Sequence, residues 1–131
     1  MSSPISENQQ RLKLLVIDDE KWITELIEAE VEDMEFVTVN SVNDSKLIKA
    51  ACEHFIPDII FLDLGLEGYE GVEVLEYFAG FDCKAKIFLI SGLDRMSLES
   101  YQATGVGFDL NIVGALTKPF TRDDICYALT M

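Results

Sequence analysis

The sequence predicts an α/β fold in which helices cover both faces of one five-stranded parallel sheet. Three observations point there. Five short apolar runs recur along the chain, each bounded by polar or turn residues. Segments with apolar residues at helical spacing fall between these runs and after the last one. The 131 residues carry no internal repeat and no low-complexity linker, which suits one domain with its own core. Alternating strands and helices imply a parallel sheet, and right-handed crossovers restrict it to a doubly wound form.

The elements follow in order. Residues 1–11 are polar and read as a flexible N-terminal tail, leaving 12–131 as the domain. Lys13–Ile17 is an apolar run ending in acids, a buried strand. Trp22–Val31 places Ile23, Leu26, Ile27, Glu30 and Val31 at helical spacing. Phe36–Val39 is short and β-rich, a second strand. Asn43 or Asp44 can cap a helix to about His54, with Leu47, Ile48 and Ala51 on its inner face. Pro57 and Asp58 then interrupt, and Ile59–Leu62 is the third strand. Gly65, Gly68 and Gly71 mark a flexible loop, and Val72–Phe78 reads as a helix. Ile87–Ile90 is the fourth strand, followed by Ser91 and Gly92. A weaker helix covers about Arg95–Ala103, and Gly105–Asn111 is a loop. Ile112–Leu116 is the fifth strand, and Thr121 caps a last helix to about Leu129.

Composition narrows the function. With 49% hydrophobic and 26% charged residues the chain is globular rather than disordered. A net charge of -14 repels nucleic acid and anionic membranes, because phosphate binding relies on Lys and Arg. No apolar run is long enough to span a bilayer, and Met1–Gln10 has no apolar signal core, so a cytoplasmic home is expected. Cys52, Cys83 and Cys126 are widely spaced, with no CxxC pair, and read as reduced thiols. His54 stands alone in a polar stretch and is expected at the surface rather than in a metal site.

The chemistry gathers at the strand ends. The first strand ends in Asp18, Asp19 and Glu20, the third in Asp63, the fourth in Ser91, and the fifth in Lys118 and Pro119. In a parallel sheet these ends share one edge, where doubly wound folds place their sites. Clustered carboxylates repel one another and call for a cation. Magnesium is the natural candidate, since it prefers oxygen ligands and keeps waters that a phosphate can displace. Lys118 can pair with Asp63 at rest and with a phosphoryl oxygen later, and Ser91 can donate to another. Phosphoryl transfer needs mainly positioning and charge neutralisation, and Asp63 can serve as the nucleophile. Each piece alone has a plain structural reading, such as acids favouring a helix start. The set, in this order at these strand ends, is far rarer than any part.

Asp18-Asp19-Glu20, the stretch from Asp63-Leu64-Gly65-Leu66 to Gly71, Ser91-Gly92 and Lys118-Pro119-Phe120 together resemble the response-regulator receiver family, the CheY-like receivers of two-component systems. The resemblance covers about Leu12 to Leu129. It implies a flavodoxin-like sheet of order 2-1-3-4-5. It implies Asp63 as phosphoacceptor, with Mg2+ held by Asp18, Asp19, Asp63 and the backbone carbonyl of Gly65. Ser91 and Lys118 would grip the phosphoryl oxygens, and a cis peptide would precede Pro119. The donor would be a phosphohistidine on a sensor histidine kinase or a phosphotransfer protein. The chain would be a signalling module rather than an enzyme, assisting only its own phosphoryl transfer and dephosphorylation. An output domain or downstream protein would read the state, and a homodimer through the last helices stays open.

Two positions and one stretch depart from the family pattern. Glu67 stands where the family often has Pro. Ala115, three residues before Lys118, stands where receivers often carry a switching Tyr or Phe. The stretch Ala103–Val113 is long, similar to receivers fused to cyclic-dinucleotide phosphodiesterase domains. Ala115 leaves an alternative open, a pseudo-receiver that binds protein without being switched by phosphorylation. A flavin carrier or an aspartate-nucleophile phosphatase fits less well. A flavin site wants a Ser/Thr/Gly-rich loop where Asp18-Asp19-Glu20 stands, and such a phosphatase wants its nucleophile on the first strand.

Overall fold

A computed structural model describes residues 11–65, 71–81, 83–92, 99, 102–104, 107–118 and 120–130. Its strands are β1 (Leu12–Ile17), β2 (Val37–Val42), β3 (Ile59–Asp63), β4 (Lys86–Ser91) and β5 (Asn111–Thr117). Its helices are α1 (Lys21–Val31), α2 (Ile48–Phe55), α3 (Gly71–Gly80) and α4 (Arg122–Thr130), with a 3-10 turn at Ser45–Leu47 before α2. All strand pairs are parallel, in the order β2-β1-β3-β4-β5. The doubly wound sheet expected from the alternating pattern is therefore the one observed. The predicted tail falls mostly on residues outside those described.

The strand sequences are apolar on both faces because both faces are covered. Side chains alternate across the sheet with period two. Leu15, Ile17, Ile60, Leu62, Ile87 and Leu89 pack with Ile48 and Cys52 of α2 and with Leu75 and Phe78 of α3. Leu14, Val16, Phe61, Phe88 and Ile90 pack on the other side with Ile23 and Ile27 of α1 and with Ile125 and Leu129 of α4. Phe61 and Phe88 sit opposite each other in the β3–β4 register and meet edge to face, ring centres 5.8 Å apart.

Three sequence expectations shift. The second strand begins one residue later than predicted and runs three residues further, because Val37–Val42 pairs with all of Leu12–Ile17. Its Asn40 and Ser41 look unlike a strand, but β2 is the sheet edge, where polar side chains face solvent. Leu47 is exposed rather than inside, since it closes the tighter 3-10 turn, and Cys52 takes the inner face beside Ile48. On α1, Leu26 lies at the rim, and Thr24 is buried in its place. Asp44 is the cap of the 3-10 turn, accepting from the Lys46 N–H, while Asn43 instead donates to the Asp18 carbonyl. At α4, Thr121 caps as expected, and Asp124 returns a bond to the Thr121 N–H, forming a reciprocal capping box. Of the helix predicted over 95–103, residues 99, 102 and 103 are described and helical.

β5 contains a bulge. Ile87 pairs with Ile112 but Phe88 pairs with Gly114, so Val113 is the extra residue. Val113 packs on the α1/α4 side, and a methyl group on Gly114 would meet the Phe88 ring there at 3.2 Å. The bulge thus turns two successive residues to one face, and a side chain on the second would press on the Phe88 ring. It also sets Ala115 half-buried on the α2/α3 side and Leu116 on the other, which brings Lys118 to the sheet edge.

Candidate functional site

The carboxyl ends of β1, β3, β4 and β5 lie in one row, since Ile17 pairs with Leu62, Asp63 with Ile90, and Ser91 with Thr117. Backbone bonds carry the row past the strands. Asp18 N–H donates to the Val42 carbonyl, Leu64 N–H to Ile90, and Lys118 N–H to Ser91. Register alone therefore brings residues 18, 63, 91 and 118 together. An open cleft of about 410 Å³ results, lined by Asp19, Glu20, Asp63, Gly65, Ser91, Gly92 and Lys118.

Asp18 is fully buried and Asp63 nearly so. Asp18 Oδ1 accepts the Glu20 N–H at 2.8 Å, which turns the chain at the end of β1. The Asp18 carbonyl accepts from Asn43 Nδ2 at 2.9 Å, and Asn43 Nδ2 also reaches Thr24 Oγ1 at 3.0 Å. One amide thus fastens the end of β1 to the segment after β2 and to α1. Asp63 Oδ1 accepts the Gly65 N–H at 3.2 Å, which fixes the rotamer of Asp63 over the cleft. The Ser91 side chain is buried at the cleft floor.

Lys118 ties these groups together. Its Nζ lies 2.7 Å from Glu20 Oε1, 3.1 Å from Asp18 Oδ2 and 3.5 Å from Asp63 Oδ1. One ammonium thus serves three carboxylates, whose oxygens lie within 4.8 Å of one another. The service is uneven. Asp18 Oδ2 is buried and near the ammonium but has no aligned hydrogen-bond donor.

The titrations follow from this geometry. Burial pushes the Asp18 carboxyl up to about 6, and the charge of Asp63 adds to the rise. The Glu20 N–H bond and Lys118 pull the other way. Glu20, at the water's edge, is held below its usual range by the Lys118 hydrogen bond and then by the Trp22 indole. For Lys118, burial is the largest single influence and opposes the charge. The Glu20 hydrogen bond and the Asp63 and Asp18 charges outweigh it together, and the ammonium is held above its usual value.

Of the residues singled out in the sequence, Asp18, Asp63, Gly65, Ser91 and Lys118 converge at the cleft, and Asp19 lines its rim. Pro119, Glu67 and the glycines at 68 and 71 lie outside the residues whose side-chain surroundings are described. Glu20 stood in the acidic run without an assigned role, yet its carboxylate makes the shortest contact to Lys118. The sequence offers Asn43 only as a cap candidate, and its bond to the Asp18 carbonyl has no local sequence signal.

A buried carboxylate oxygen lacking a donor, within a cluster of three, fits a hard cation with oxygen ligands. Lys118 partly fills that need by itself.

Comparison with known proteins agrees with the geometry. The family model described as "Response regulator receiver domain" matches residues 14–130. The transcriptional regulatory protein KdpE of Mycobacterium tuberculosis is 32% identical over 111 residues, covering 85% of this chain but 46% of that protein. This chain therefore spans about half of that relative's length. The chemotaxis protein CheY of Listeria monocytogenes is 27% identical over 121 residues, covering 90% of this chain and 95% of that protein. A CheY-like response regulator receiver domain protein from Methanospirillum hungatei has the same fold, with a TM-score of 0.79 at 16% identity, 92% of each chain being covered. With a parallel sheet of order 2-1-3-4-5 and an Asp-Asp-Lys edge, this chain belongs to the response regulator receiver domain family, the signalling modules of two-component systems.

Proposed function

We propose that this receiver is a phosphoacceptor. A carboxylate oxygen of Asp63 attacks the phosphorus of a phosphohistidine on a sensor histidine kinase or phosphotransfer protein. The new P–O bond forms as the P–N bond breaks, and the imidazole nitrogen takes the electron pair. The observation that carries this reading is Lys118 Nζ, set 3.5 Å from Asp63 Oδ1 while still shared with Asp18 and Glu20. An ammonium so placed can move its charge onto a phosphoryl oxygen as the transfer proceeds. Ser91, which lines the same cleft, would donate to a second oxygen.

Mg2+ is the cofactor this reading requires. Asp18, Asp63 and the Gly65 carbonyl would hold it, with Asp19 acting directly or through water. When bound it neutralises charge on the phosphoryl group. The buried, donor-poor Asp18 Oδ2 supports that assignment. Among the described residues no helix is long and apolar enough to cross a membrane, and a cytoplasmic site of action fits a kinase donor. The state of Asp63 would then be read by an output domain or a separate downstream protein.

Half-buried Ala115 favours a second reading, a pseudo-receiver that binds partners without a phosphorylation switch. One experiment separates the two. The protein and Asp63→Asn are incubated with Mg2+ and acetyl phosphate, and intact masses are recorded. Gain of one phosphoryl group that needs both Mg2+ and Asp63 supports the phosphoacceptor. No gain, with a beryllofluoride mimic also failing to bind, supports the pseudo-receiver.

A further inference from the structure

Glu20 is the N-cap residue of α1, yet its side chain caps no backbone N–H of that helix. It is committed elsewhere. Oε1 accepts from Lys118 Nζ at 2.7 Å, and Oε2 accepts from the Trp22 indole N–H at 3.1 Å. Trp22 is the chain's one tryptophan and is 56% exposed. A continuous path thus runs from the buried Asp63 through Lys118 and Glu20 to an aromatic ring on the surface at the start of α1.

We propose that Glu20 is a positioning residue that holds Lys118 at rest, and that phosphorylation of Asp63 releases it and reorients Trp22. The proposal rests on the phosphoacceptor reading above. A phosphoryl group on Asp63 carries up to two negative charges at neutral pH and three acceptor oxygens, and it competes directly for the same ammonium. Lys118 is already within 3.5 Å of Asp63 Oδ1, so a small rotation toward the new group lengthens its 2.7 Å contact to Glu20. The Glu20 side chain is 47% exposed against 15% for Lys118, so water can replace the ammonium on Glu20 when Lys118 turns toward Asp63. Glu20 then faces an added like charge and swings outward with the indole bonded to it. The consequence reaches the surface at α1. It needs no aromatic on β5, where Ala115 has only a methyl group.

The test follows Trp22 fluorescence and acrylamide quenching while Mg2+ and then beryllofluoride are added, with intact mass after acetyl phosphate recorded in parallel. Wild type and Glu20→Gln are compared, and circular dichroism confirms that the exposed substitution leaves the fold intact. The expected result is a fluorescence change in wild type on adding beryllofluoride. In Glu20→Gln most of that change is lost, and its starting spectrum lies near the activated one. The variant's Mg2+ affinity and phosphoryl gain are recorded in parallel, so that a change in the metal site is told apart from a change in the path to Trp22. Three results overturn the proposal. One is an undiminished change in the variant. Another is phosphorylated wild type with unchanged fluorescence. The third is a loss of more than about tenfold in Mg2+ affinity, which would make Glu20 a metal-site residue. Absence of any mass gain in wild type overturns the phosphoacceptor reading itself, and with it this one, and the mass record tells that failure from the others.

Discussion

Replacing Asp18 with Asn is expected to stabilise the metal-free protein at neutral pH, although it removes a residue of the site. The Asp18 carboxyl ordinarily titrates near 3.8 and is raised to about 6 in the folded chain, mainly by burial. A carboxyl whose folded pKa is raised holds its proton more tightly folded than unfolded. The contribution of Asp18 to stability is therefore greatest at acid pH and falls as pH rises from about 4 to about 6, where the folded chain gives up the proton. The shift is roughly two units, so at 1.36 kcal/mol per unit the ionised Asp18 costs about 3 kcal/mol at pH 7.5. At pH 4.5 the same linkage gives about 1 kcal/mol. Asn keeps an acceptor for the Glu20 N–H and removes the charge, and the 3.1 Å ion pair with Lys118 that it forfeits is already contained in the raised Asp18 value. A gain of up to about 3 kcal/mol at pH 7.5 is therefore expected, shrinking to at most about 1 kcal/mol at pH 4.5. Lys118 is raised from a value far above this window and adds no slope, while Glu20, held low, slopes the other way only at more acid pH. Urea unfolding in EDTA at the two pH values, followed by far-UV circular dichroism, measures the difference. Saturating Mg2+ then stabilises the wild type by mass action and narrows or reverses the gap. A variant less stable than wild type in EDTA at both pH values would refute the reasoning.

Three further outcomes follow from the packing. Gly114→Ala places a methyl group 3.2 Å from the Phe88 ring in the β5 bulge, and denaturant unfolding is expected to register a loss of about 1–3 kcal/mol. An unchanged midpoint would mean that Phe88 shifts freely. Thr121→Ala removes half of the α4 capping box, for a loss of about 1 kcal/mol by the same assay. Burial pushes the Cys52 thiol up to about 12, with the neighbouring Cys83 and Glu53 adding to the rise. Under native conditions at pH 8, iodoacetamide is therefore expected to label the less buried Cys126 first and Cys52 only on unfolding, as read by peptide mass mapping.

Several features follow from the linear sequence by itself. A run such as Ile59–Leu62 can be apolar throughout only if both sheet faces are covered, so parallel strands between helices are written in the composition of each strand. Parallel strands put every carboxyl end on one edge, so Asp18, Asp63, Ser91 and Lys118 could be assigned to one site without coordinates. The Thr121 cap was likewise legible, and the cap after β2 was legible as one of Asn43 and Asp44, since a cap is a contact between residues two or three apart.

What tertiary structure alone decided are contacts between residues far apart in the chain. The extent of β2 came from its pairing with β1, which overrides the weak strand propensity of Asn40 and Ser41. The tight space at Gly114 came from the Phe88 ring on the neighbouring strand, and nothing near 114 announces it. Asn43 finds the Asp18 carbonyl 25 residues away, and Lys118 finds Glu20 at a separation of 98. Hydrogen bonds and ion pairs reach only a few ångströms, so their partners are fixed once strand register has brought the ends together. The sequence named the chemical groups at the sheet edge. Only the fold decided that Lys118 rests against Glu20 and that Glu20 in turn holds the indole of Trp22.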